Sequence, residues 1–519
     1  MYNEMIREME SRNNNAELSV TENGAVGYSN TTSALVDMFY KTSSYRNKSD
    51  EEIVADFVKA YKENPDYALR YLFYVRDVRR GLGERRIFRV CMKAVVTNPY
   101  FDVAIDYWKL CQFIVEMGRW DDMFVFRGTK VFSVMVQFVK KQLAEDKINK
   151  ERGMSYSFMA KWLPSINTSN AQQVNLAKEL AKKMGMSDKE YRQLLTELRK
   201  GLPIVERMAS ANQWGAIDYN TVPSKANILY SEAFMRHDED RRKTYLNALA
   251  EGKEGVVIHS SAAYPYEILN KAIHGGDSTV EEMWKALPDY VKGNGSTLVV
   301  ADGSGSMEER VGNSSVTALV IANSLAMYFA ERASGEFKDK YITFSEYPQF
   351  VDLSVGTSLS TKWNIARTHC EVANTNIEAV FDLVLKTAVN NNMKSEDIPA
   401  NILILSDMEF DACARGNANA RSYTVVPIES MQPLFKEIAE RWKKAGYKLP
   451  KLIFWNLMSR TGTVPMLNNE NGVLLVSGFS PTIMEMVLGS SYDTAQMLKE
   501  KLNEPTYAKV NKAIHQKRG

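Results

Sequence analysis

The second half of the chain alternates short apolar runs with helical segments, and this alternation limits its possible folds more than any other feature. The runs are rich in Val, Ile, Leu and Phe: TLVVAD (297–302), KYITFS (340–345), NILILSD (401–407), KLIFWNL (451–457) and GVLLVSG (472–478). Helical patterns separate them at 315–334, 376–390, 430–445 and 481–489. Strands that alternate with helices form a parallel sheet covered on both faces. We therefore predict an α/β domain over residues 296–519.

Residues 31–292 have a helical pattern instead, and few of their segments are typical of strands. In NPDYALRYLFYVRDV the apolar positions recur at the spacing of one helix face. Asn64-Pro65 and Asn98-Pro99 lie 34 residues apart, which hints at a stacked pair of helices. Further helices are predicted near 172–184, 187–200, 203–212, 226–250 and 265–274. This pattern favours an α-solenoid of helical repeats.

With 519 residues, the chain is too long for one compact core. We predict a polar, flexible or loosely docked arm over residues 1–30, a helical-repeat domain over 31–292 and the α/β domain over 296–519. The boundary between the last two falls in the Gly/Asn segment DYVKGNGS.

Composition narrows the classes of protein to consider. The formal net charge is only +2, so any nucleic-acid surface must be local. Four cysteines lie far apart without a CxxC pair, which argues against a zinc site or a disulfide framework. The first residues lack the apolar core of a signal peptide, and no run of about 18 apolar residues is present. We expect a reduced, soluble, cytoplasmic protein.

The stretch LVVADGSGSM (298–307) begins as a buried strand and ends in a loop with alternating polar residues, Asp302, Ser304 and Ser306. A second predicted strand ends in Asp407, and Thr375 lies between them in sequence. Ligands of open parallel sheets bind at the carboxyl ends of the strands. Two carboxylates and three hydroxyls at one edge suit Mg²⁺ or another hard divalent cation.

This order of residues, D-x-S-x-S, then Thr, then Asp, resembles the metal-ion-dependent adhesion site of von Willebrand A domains, which have a Rossmann-like α/β fold. The resemblance implies that Ser304, Ser306 and Thr375 contact the ion, and that Asp302 and Asp407 act partly through water. An open coordination position would then accept a carboxylate from a protein partner. The alternative is a metal-free loop whose polar side chains cap helices.

The densest basic cluster lies in the helical part, and Asp77 and Glu84 are the acidic residues that oppose it. Its members are Arg70, Arg76, Arg79, Arg80, Arg85, Arg86, Arg89 and Lys93. Arginine binds phosphate through a planar fork, so the cluster is a candidate nucleic-acid surface. A solvated face with internal salt bridges explains the same composition equally well.

Several stretches, RYLFYVRDVRRGLGERRIF, MGRWDDM and KWLPS, resemble the Ro autoantigen family. Members of that family join a ring of HEAT-like helical repeats, the TROVE module, to a von Willebrand A-like domain. Other stretches, GLPIVERMASANQWGAIDYNTVPSKA and SDMEF, resemble a related, largely uncharacterised family with the same layout. The resemblance implies binding of structured small RNA, or of misfolded RNA with single-stranded ends.

Matched to the family's motifs, the candidate RNA-binding residues are Arg76, Arg79, Arg80, Arg85, Arg86, Arg119 and Lys161. Arg76 and Glu84 could instead pair as structural braces. TELRK adds Arg199 and Lys200, but Glu197 stands where the family has a histidine that contacts small RNA. A carboxylate repels phosphate, so this departure weakens the case for binding on the outer face of the ring.

The sequence therefore predicts a Ro-like, monomeric RNA-binding ring in RNA quality control or ribonucleoprotein scaffolding. No nucleophile–base pair or pair of acid–base carboxylates occurs at a recognisable spacing, so we expect no enzyme activity. The alternative is a Mg²⁺-dependent protein-interaction scaffold that recruits an acidic partner without RNA.

Overall fold

The computed structural model describes residues 18–291, 297–333, 337–344, 346–370, 375–411, 434–466, 473–483, 486–487 and 493–517. Its helices, numbered in chain order, are α1 (Ala34–Tyr40), α2 (Asp50–Glu63), α3 (Pro65–Arg76), α4 (Arg85–Thr97), α5 (Tyr107–Met117), α6 (Val131–Glu151), α7 (Met159–Trp162), α8 (Ala171–Met184), α9 (Asp188–Lys200), α10 (Val205–Ser210), α11 (Ser224–His237), α12 (Glu239–Ala250), α13 (Pro265–Ile273), α14 (Ser278–Lys285), α15 (Ala318–Arg332), α16 (Leu359–Thr368), α17 (Ile377–Asn390), α18 (Leu434–Lys444), α19 (Thr494–Asn503) and α20 (Pro505–Ala508). Within these ranges, no helix has both the length and the apolar character needed to cross a bilayer.

Five of the strands in the described residues match the predicted apolar runs closely. The strands are β1 (Leu18–Val20), β2 (Val26–Tyr28), β3 (Val103–Ile105), β4 (Thr297–Asp302), β5 (Lys340–Phe344), β6 (Gln349–Asp352), β7 (Asn401–Ser406), β8 (Lys451–Asn456), β9 (Val473–Ser477) and β10 (Ile514–Gln516). β4, β5, β7, β8 and β9 correspond to the five predicted runs, each within one residue at either end. The predicted boundary at 292–296 lies outside the described residues, and so do residues 484, 485, 488 and 489 of the predicted helix at 481–489.

The chain divides into two compact units, and each is built from separate stretches of sequence. The sheet unit comprises residues 1–64 and 260–501, and the helical unit comprises residues 65–259 and 502–519. The units differ from the predicted domains because helices α1, α2, α13 and α14, which precede the strands in sequence, are grouped with the sheet. The last residues return to the helical unit.

The central sheet has the strand order β6-β5-β4-β7-β8-β9. The pairs β5–β4, β4–β7, β7–β8 and β8–β9 are parallel, as expected for strands joined by helices. β6 is the exception, because it pairs antiparallel to β5 and turns the predicted parallel sheet into a mixed one. β5 and β6 are added in sequence on one side of β4, and β7, β8 and β9 are then added on its other side.

Helix α15 covers one face of the sheet and is buried along nearly its whole length, from Ala318 to Ala330. It packs on β4, β5 and β7, and α13 packs against it as well. A helix that is apolar on all sides is expected when it is covered on more than one side. The opposite face of the sheet packs on α17 and α18 through an apolar core that includes Leu298, Val300, Ile402, Ile404, Phe381, Phe435 and Phe454.

The predicted N-terminal arm is not loosely attached where it is described. β1 and β2 form an antiparallel pair, from Leu18–Tyr28 to Val20–Val26. The Thr21 hydroxyl donates to the Phe410 carbonyl oxygen at 2.6 Å, and the Tyr28 N–H donates to the Val464 carbonyl oxygen at 2.8 Å. Residues 18–30 are therefore part of the sheet unit, and residues 1–17 lie outside the described ones.

In the helical unit, α3 and α4 pack against each other around a tight turn. α3 begins at Pro65, as the Asn-Pro signal predicts. The turn requires glycine at position 81, because a Cβ there would lie 1.9 Å from the carbonyl oxygen of Tyr74. The aromatic residues interleaved with the arginines, Tyr71, Phe73 and Tyr74, are buried in the core.

One predicted helix of this unit is interrupted, and a short strand lies among the helices. The stretch predicted as one helix at 226–250 is two, α11 and α12, which meet at Asp238. Asp238 has non-helical backbone angles, and its carboxylate accepts hydrogen bonds from Tyr219 and Arg241, each at 2.7 Å. Residues 103–105 form β3, which pairs with β10 from the end of the chain.

Candidate functional site

Two acidic residues come together at the carboxyl edge of the sheet. Asp302 is the last residue of β4, and Asp407 directly follows β7. β4 and β7 are parallel neighbours. The strand order changes direction at this pair, because β5 and β6 lie beyond β4 on one side and β8 and β9 lie beyond β7 on the other. Ligands of open α/β sheets bind at such a switch point.

Asp302 is held by the loop that follows its own strand and by the neighbouring strand. The Ser304 N–H donates to Asp302 Oδ1 at 2.9 Å, and the Ser406 hydroxyl donates to Asp302 Oδ2 at 2.6 Å. The hydroxyl oxygens of Ser304 and Ser306 lie 3.2 Å apart. Both predicted serine hydroxyls are therefore close to each other at this edge.

Asp407 is fully buried and has an oxygen atom without a hydrogen-bond donor. Its Oδ1 accepts from the Glu409 N–H at 3.2 Å. Its Oδ2 has no hydrogen-bond partner among the described residues, and Arg460 Nη2 lies 3.3 Å from it. Burial and the charge of Asp302 raise the pKa of Asp407 to about 7, although Arg460 opposes this. Burial also raises the pKa of Asp302.

Thr375 contacts the segment that follows β7 rather than standing apart from it. The Asp411 N–H donates to the Thr375 carbonyl oxygen at 2.9 Å. Asn23 Nδ2 donates to the Thr375 hydroxyl oxygen at 3.3 Å and to the Glu409 carbonyl oxygen at 2.6 Å. Thr375 itself is buried. The sequence analysis missed Asn23, because a polar N-terminal segment carries no signal for a distant sheet edge.

Arg460 is a second residue that the sequence analysis missed. Its guanidinium contacts three carboxylates, with Nε 2.5 Å from Glu22, Nη1 3.4 Å from Glu309 and Nη2 3.3 Å from Asp407. Arg460 lies in the loop after β8, which ends at the same edge of the sheet. The rule that places Asp302 and Asp407 at this edge would have indicated Arg460 too.

Glu409 anchors the loop that carries Arg460. Its buried carboxylate accepts the N–H groups of Glu22, Arg460 and Thr461 at 2.8, 2.8 and 3.0 Å. The Ser459 hydroxyl donates to it at 3.1 Å. A carboxylate that accepts several backbone hydrogen bonds is a structural element, so Glu409 positions Arg460 relative to Asp407.

The donors at this edge suit a hard cation. Carboxylate and hydroxyl oxygens are the ligands that Mg²⁺ and Ca²⁺ prefer. A cation would bind the Asp407 oxygen that lacks a hydrogen-bond donor among the described residues, and it would relieve the repulsion between Asp407 and Asp302. In the described part of the chain, no group of three or more His, Cys, Asp or Glu residues is placed to hold a metal. An ion here would therefore depend on the hydroxyls of Ser304 and Ser306.

In the helical unit, the predicted RNA-binding residues differ widely in exposure. Arg79, Arg80, Arg85, Arg86 and Lys200 are exposed, Arg119, Lys161 and Arg199 are half-buried, and Arg76 is buried. The exposed members remain candidates for contact with a polyanion. The buried Arg76 and the hydrogen-bonded Arg199 need separate explanations.

Arg76 is a structural brace. Only 4% of it is exposed, and its Nε donates to Asp122 Oδ2 at 2.7 Å. Asp122 is fully buried and also accepts from Arg89 Nε at 2.8 Å and from the Arg119 N–H at 2.8 Å. A buried guanidinium cannot reach an RNA phosphate, so Arg76 is removed from the candidate RNA-binding residues. Of the two alternatives, the structure favours the brace, with Asp122 as the partner.

The guanidinium of Arg199 is also hydrogen-bonded to other residues of the helical unit. Its Nε and Nη2 donate to the carbonyl oxygens of Ala160 and Leu163, each at 2.8 Å. Its Nη1 donates to the Ser165 hydroxyl at 2.8 Å. Arg199 therefore holds the segment around α7, and Lys200 is the exposed cation of this predicted pair.

Arg85 lies among other arginines. Partial burial and the charges of Arg119 and Arg89 lower its pKa, and Asp121 only partly offsets them. Burial is the largest cause of this shift, and the neighbouring Arg89 and Arg119 are themselves paired with Asp121. An anion bound here would be stabilised by several guanidinium groups at once.

A tryptophan ring lies beside Arg119 and Lys161. The guanidinium carbon of Arg119 lies 4.0 Å from the centre of the Trp162 ring, and Lys161 Nζ lies 5.5 Å from it. Lys161 also lies 3.3 Å from Glu206. Cations at these distances are attracted to an aromatic face. Trp162 is half-buried and thus retains some exposed surface.

Fold and site together define a protein that combines a helical unit with an α/β unit, and the sheet edge of the latter gathers acidic and hydroxyl side chains. Two family models match the chain. The domain of unknown function DUF2828 matches residues 21–98 and 126–302, and the domain of unknown function DUF7788 matches residues 296–518.

This chain is similar to a viral relative and to a solved bacterial structure. The uncharacterised protein L728 of Acanthamoeba polyphaga mimivirus is 27% identical over 516 residues, covering 92% of this chain and 85% of that protein. The crystal structure of the Deinococcus radiodurans Ro (RSR) protein has a TM-score of 0.43 at 13% identity, covering 85% of this chain and 93% of that chain. A likeness at that score does not establish a shared fold.

Proposed function

We propose that the helical unit binds RNA through the basic surface, defined here as Arg79, Arg80, Arg85, Arg86, Arg119 and Lys161. The observation that carries the proposal is the run of exposed arginines, Arg79, Arg80, Arg85 and Arg86, between the end of α3 and the first turn of α4. Phosphates of a nucleic acid would bind these guanidinium groups, with release of counterions. Arginine suits this role because its planar fork matches phosphate oxygens.

The neighbouring aromatic ring favours RNA over other polyanions. Trp162 has an exposed part beside Arg119 and Lys161, where an unpaired base could stack next to its own phosphate. The motifs shared with the Ro family support the same ligand. Glu197, which departs from the family pattern, lies 3.4 Å from Lys150, so part of its charge is offset.

The biological role that we propose is binding of structured or misfolded RNA, in RNA quality control or ribonucleoprotein scaffolding, without turnover. A ring of helical repeats and a von Willebrand A-like α/β domain are parts of this proposal. The strand order supports its α/β part, since Asp302 and Asp407 lie where the order reverses between β4 and β7.

The double variant Arg85→Glu/Arg86→Glu is expected to weaken RNA binding by at least about tenfold, because two phosphate contacts become repulsive. Gel shifts with a structured RNA carrying a single-stranded tail, across a salt series, measure this. The slope of log affinity against log salt should become shallower by about 2, which is the number of contacts removed.

The double variant Lys147→Glu/Arg152→Glu is the matched control. Both residues are exposed on α6 or at its end, and the substitutions change the net charge by the same amount. If the change in net charge alone weakened RNA binding, both double variants would lose the same RNA affinity. Equal affinities for the Arg85→Glu/Arg86→Glu variant and the wild type would remove the basic surface from the proposal.

A second candidate function is Mg²⁺-dependent recruitment of an acidic protein, and the buried Oδ2 of Asp407, which has no hydrogen-bond donor among the described residues, favours it. Ser304, Ser306 and Thr375 would hold the ion, and Asp302 and Asp407 would balance its charge. The ion would supply a coordination position for a partner's carboxylate. The protein's own contribution is to keep the two carboxylates buried and in place.

The metal alone tests this candidate. Asp302→Ala is expected to weaken Mg²⁺ binding at least about tenfold, because it removes one of two charges at the site. Isothermal titration of the full chain with Mg²⁺ measures the affinity, and Asp352→Ala, on the edge strand β6, is the control. A wild-type chain without Mg²⁺ binding at millimolar concentration would exclude this function. A partner captured with Mg²⁺ but not with EDTA, in the presence of nuclease, would favour it over RNA binding.

A further inference from the structure

A cavity of about 270 Å³ lies within the sheet unit, next to the carboxyl edge of the sheet. Its walls come from residues 41–59, which include most of α2, and from residues 459–462 after β8. Its basic lining residues are Lys41, Lys48, Lys59 and Arg460. Ligand sites are concave and contain a few converging polar groups, and this cavity meets that description with mainly cationic groups.

Two of the four cations are already paired. Lys48 lies 3.4 Å from Glu52, and Lys59 lies 2.9 Å from Asp56. The Tyr45 hydroxyl donates to Asp56 as well, at 3.0 Å. Because these pairs account for the acidic lining residues, the remaining lining cations are Lys41 and Arg460, and Arg460 is itself in contact with Glu22, Glu309 and Asp407.

Lys41 lines this cavity and directly follows α1. Its ammonium group interacts electrostatically with the Asp37 carboxylate of that helix, and among the described residues no hydrogen bond or ion pair engages it. Glycine at position 462 lets it approach the loop, because a Cβ there would lie 3.0 Å from Lys41 Cε and 3.5 Å from Lys41 Nζ. The positive end of Lys41 thus stands beside the loop that carries Arg460.

Ser44 provides a second unused polar group at the same cavity. It lines the cavity, is 5% exposed, and its hydroxyl has no hydrogen-bond partner among the described residues. A buried hydroxyl without a partner destabilises the fold unless a ligand or water satisfies it. Arg460 Nη1 likewise has no hydrogen-bond partner in the described part of the chain, although Glu309 lies 3.4 Å away.

We propose that this cavity binds a phosphate group, recognised by Lys41, Ser44 and Arg460. An ammonium, a guanidinium and a hydroxyl together match the several acceptor oxygens of one phosphate. The volume lies near the lower end of the range for small-molecule sites, which fits a small phosphate ester or pyrophosphate. The phosphate can come from a free small molecule or from the end of an RNA chain, because the chemistry is the same.

Arg460 links this cavity to the acidic edge. It lines the cavity and lies 3.3 Å from Asp407 Oδ2. A phosphate in the cavity therefore competes with Asp407 for the same guanidinium. The proposal does not depend on RNA binding by the basic surface or on a bound metal, since none of its three recognising residues belongs to the helical unit and the test is made with EDTA present.

Isothermal titration of the full chain with pyrophosphate in EDTA tests the proposal. We expect saturable binding by the wild type, at least about tenfold weaker binding by Lys41→Gln, and near wild-type binding by Lys41→Arg, which keeps the charge. Lys62→Gln is the matched control, since Lys62 is an exposed lysine of α2 outside the cavity. Circular dichroism melting curves show whether each variant is folded.

Two results would overturn the proposal: no binding of pyrophosphate by the wild type at millimolar concentration, or equal affinities for the wild type and a folded Lys41→Gln variant. A second titration identifies the source of the phosphate. A short RNA with a 5′-phosphate that binds more tightly than its 5′-hydroxyl counterpart, in a manner that requires Lys41, indicates an RNA end. Equal binding of the two RNAs, with pyrophosphate binding retained, indicates a free small phosphate.

Discussion

The Asp122→Ala variant is expected to lose about 3–5 kcal/mol of the free energy of unfolding of the helical unit, because it leaves a buried guanidinium without its counter-charge. Asp122 is fully buried and accepts hydrogen bonds from Arg76, Arg89 and the Arg119 backbone. The side chain of Arg76 is only 5% exposed, so water cannot replace the lost carboxylate. Urea unfolding followed by circular dichroism measures the loss.

Asp102→Ala is the control for this variant. Asp102 pairs with Lys517 at 2.7 Å, but its side chain is 66% exposed, and exposed pairs stabilise proteins by about 1 kcal/mol or less. Similar losses for the two variants would show that the Arg76–Asp122 pair is not a brace. The same experiment has a bearing on RNA binding, since a brace near Arg119 would also position the basic surface.

As the pH rises from about 4 to about 7, the metal-free protein is expected to lose free energy of unfolding because Asp407 ionises. An Asp407→Asn variant is not expected to show this loss. Burial and the charge of Asp302 raise the pKa of Asp407 to about 7 in the folded state. Between the unfolded and folded pKa values, the folded state binds more protons than the unfolded state. Stability therefore falls as the pH rises through this window, by up to about 4 kcal/mol, and is constant above it.

The Asp407→Asn variant cannot ionise at this position, so the difference between the two proteins isolates the effect from other titrating groups. Thermal or urea unfolding at several pH values, with EDTA present, measures it. A difference in stability between the two proteins that does not change with pH would contradict the raised pKa of Asp407. Mg²⁺ at pH 8 is expected to stabilise the wild type more than the variant, because the ion binds the ionised carboxylate and compensates for its burial.

The strands of the sheet could be predicted almost residue by residue, whereas one edge strand could not. β4, β7 and β8 are continuous apolar runs because both faces of each strand are covered, and such runs are visible in sequence. β6 has only four residues, QFVD, with mixed exposure. Its assignment depends on antiparallel pairing with β5, which no local pattern specifies.

The acidic edge could be predicted in part, because the end of a strand is a local feature. Asp302 and Asp407 follow recognisable strands, and a parallel sheet places the ends of its strands together. Asn23 and Glu22 reach the same edge from the start of the chain, more than 350 residues away in sequence. No periodicity relates such distant segments.

The sequence could not show which of the arginines are exposed, because their burial also depends on residues that are distant along the chain. Arg76 and Arg79 are three residues apart in one motif, yet Arg76 is buried and Arg79 is exposed. The difference arises because Asp122, 46 residues further along the chain, lies next to Arg76. Arg199 was likewise predicted to bind RNA, but its guanidinium donates hydrogen bonds to the carbonyl oxygens of Ala160 and Leu163, which are distant in sequence.

From the amino-acid sequence alone one obtains the helices, the sheet strands and the oxygen-bearing residues at the strand ends, because periodicity and strand ends are local properties of the chain. Tertiary packing assigns α1, α2, α13 and α14 to the sheet unit, brings Arg460 to Asp407 and buries Arg76 against Asp122. These outcomes depend on which distant surfaces exclude water from each other, and the free energy of that burial is a property of the whole folded chain.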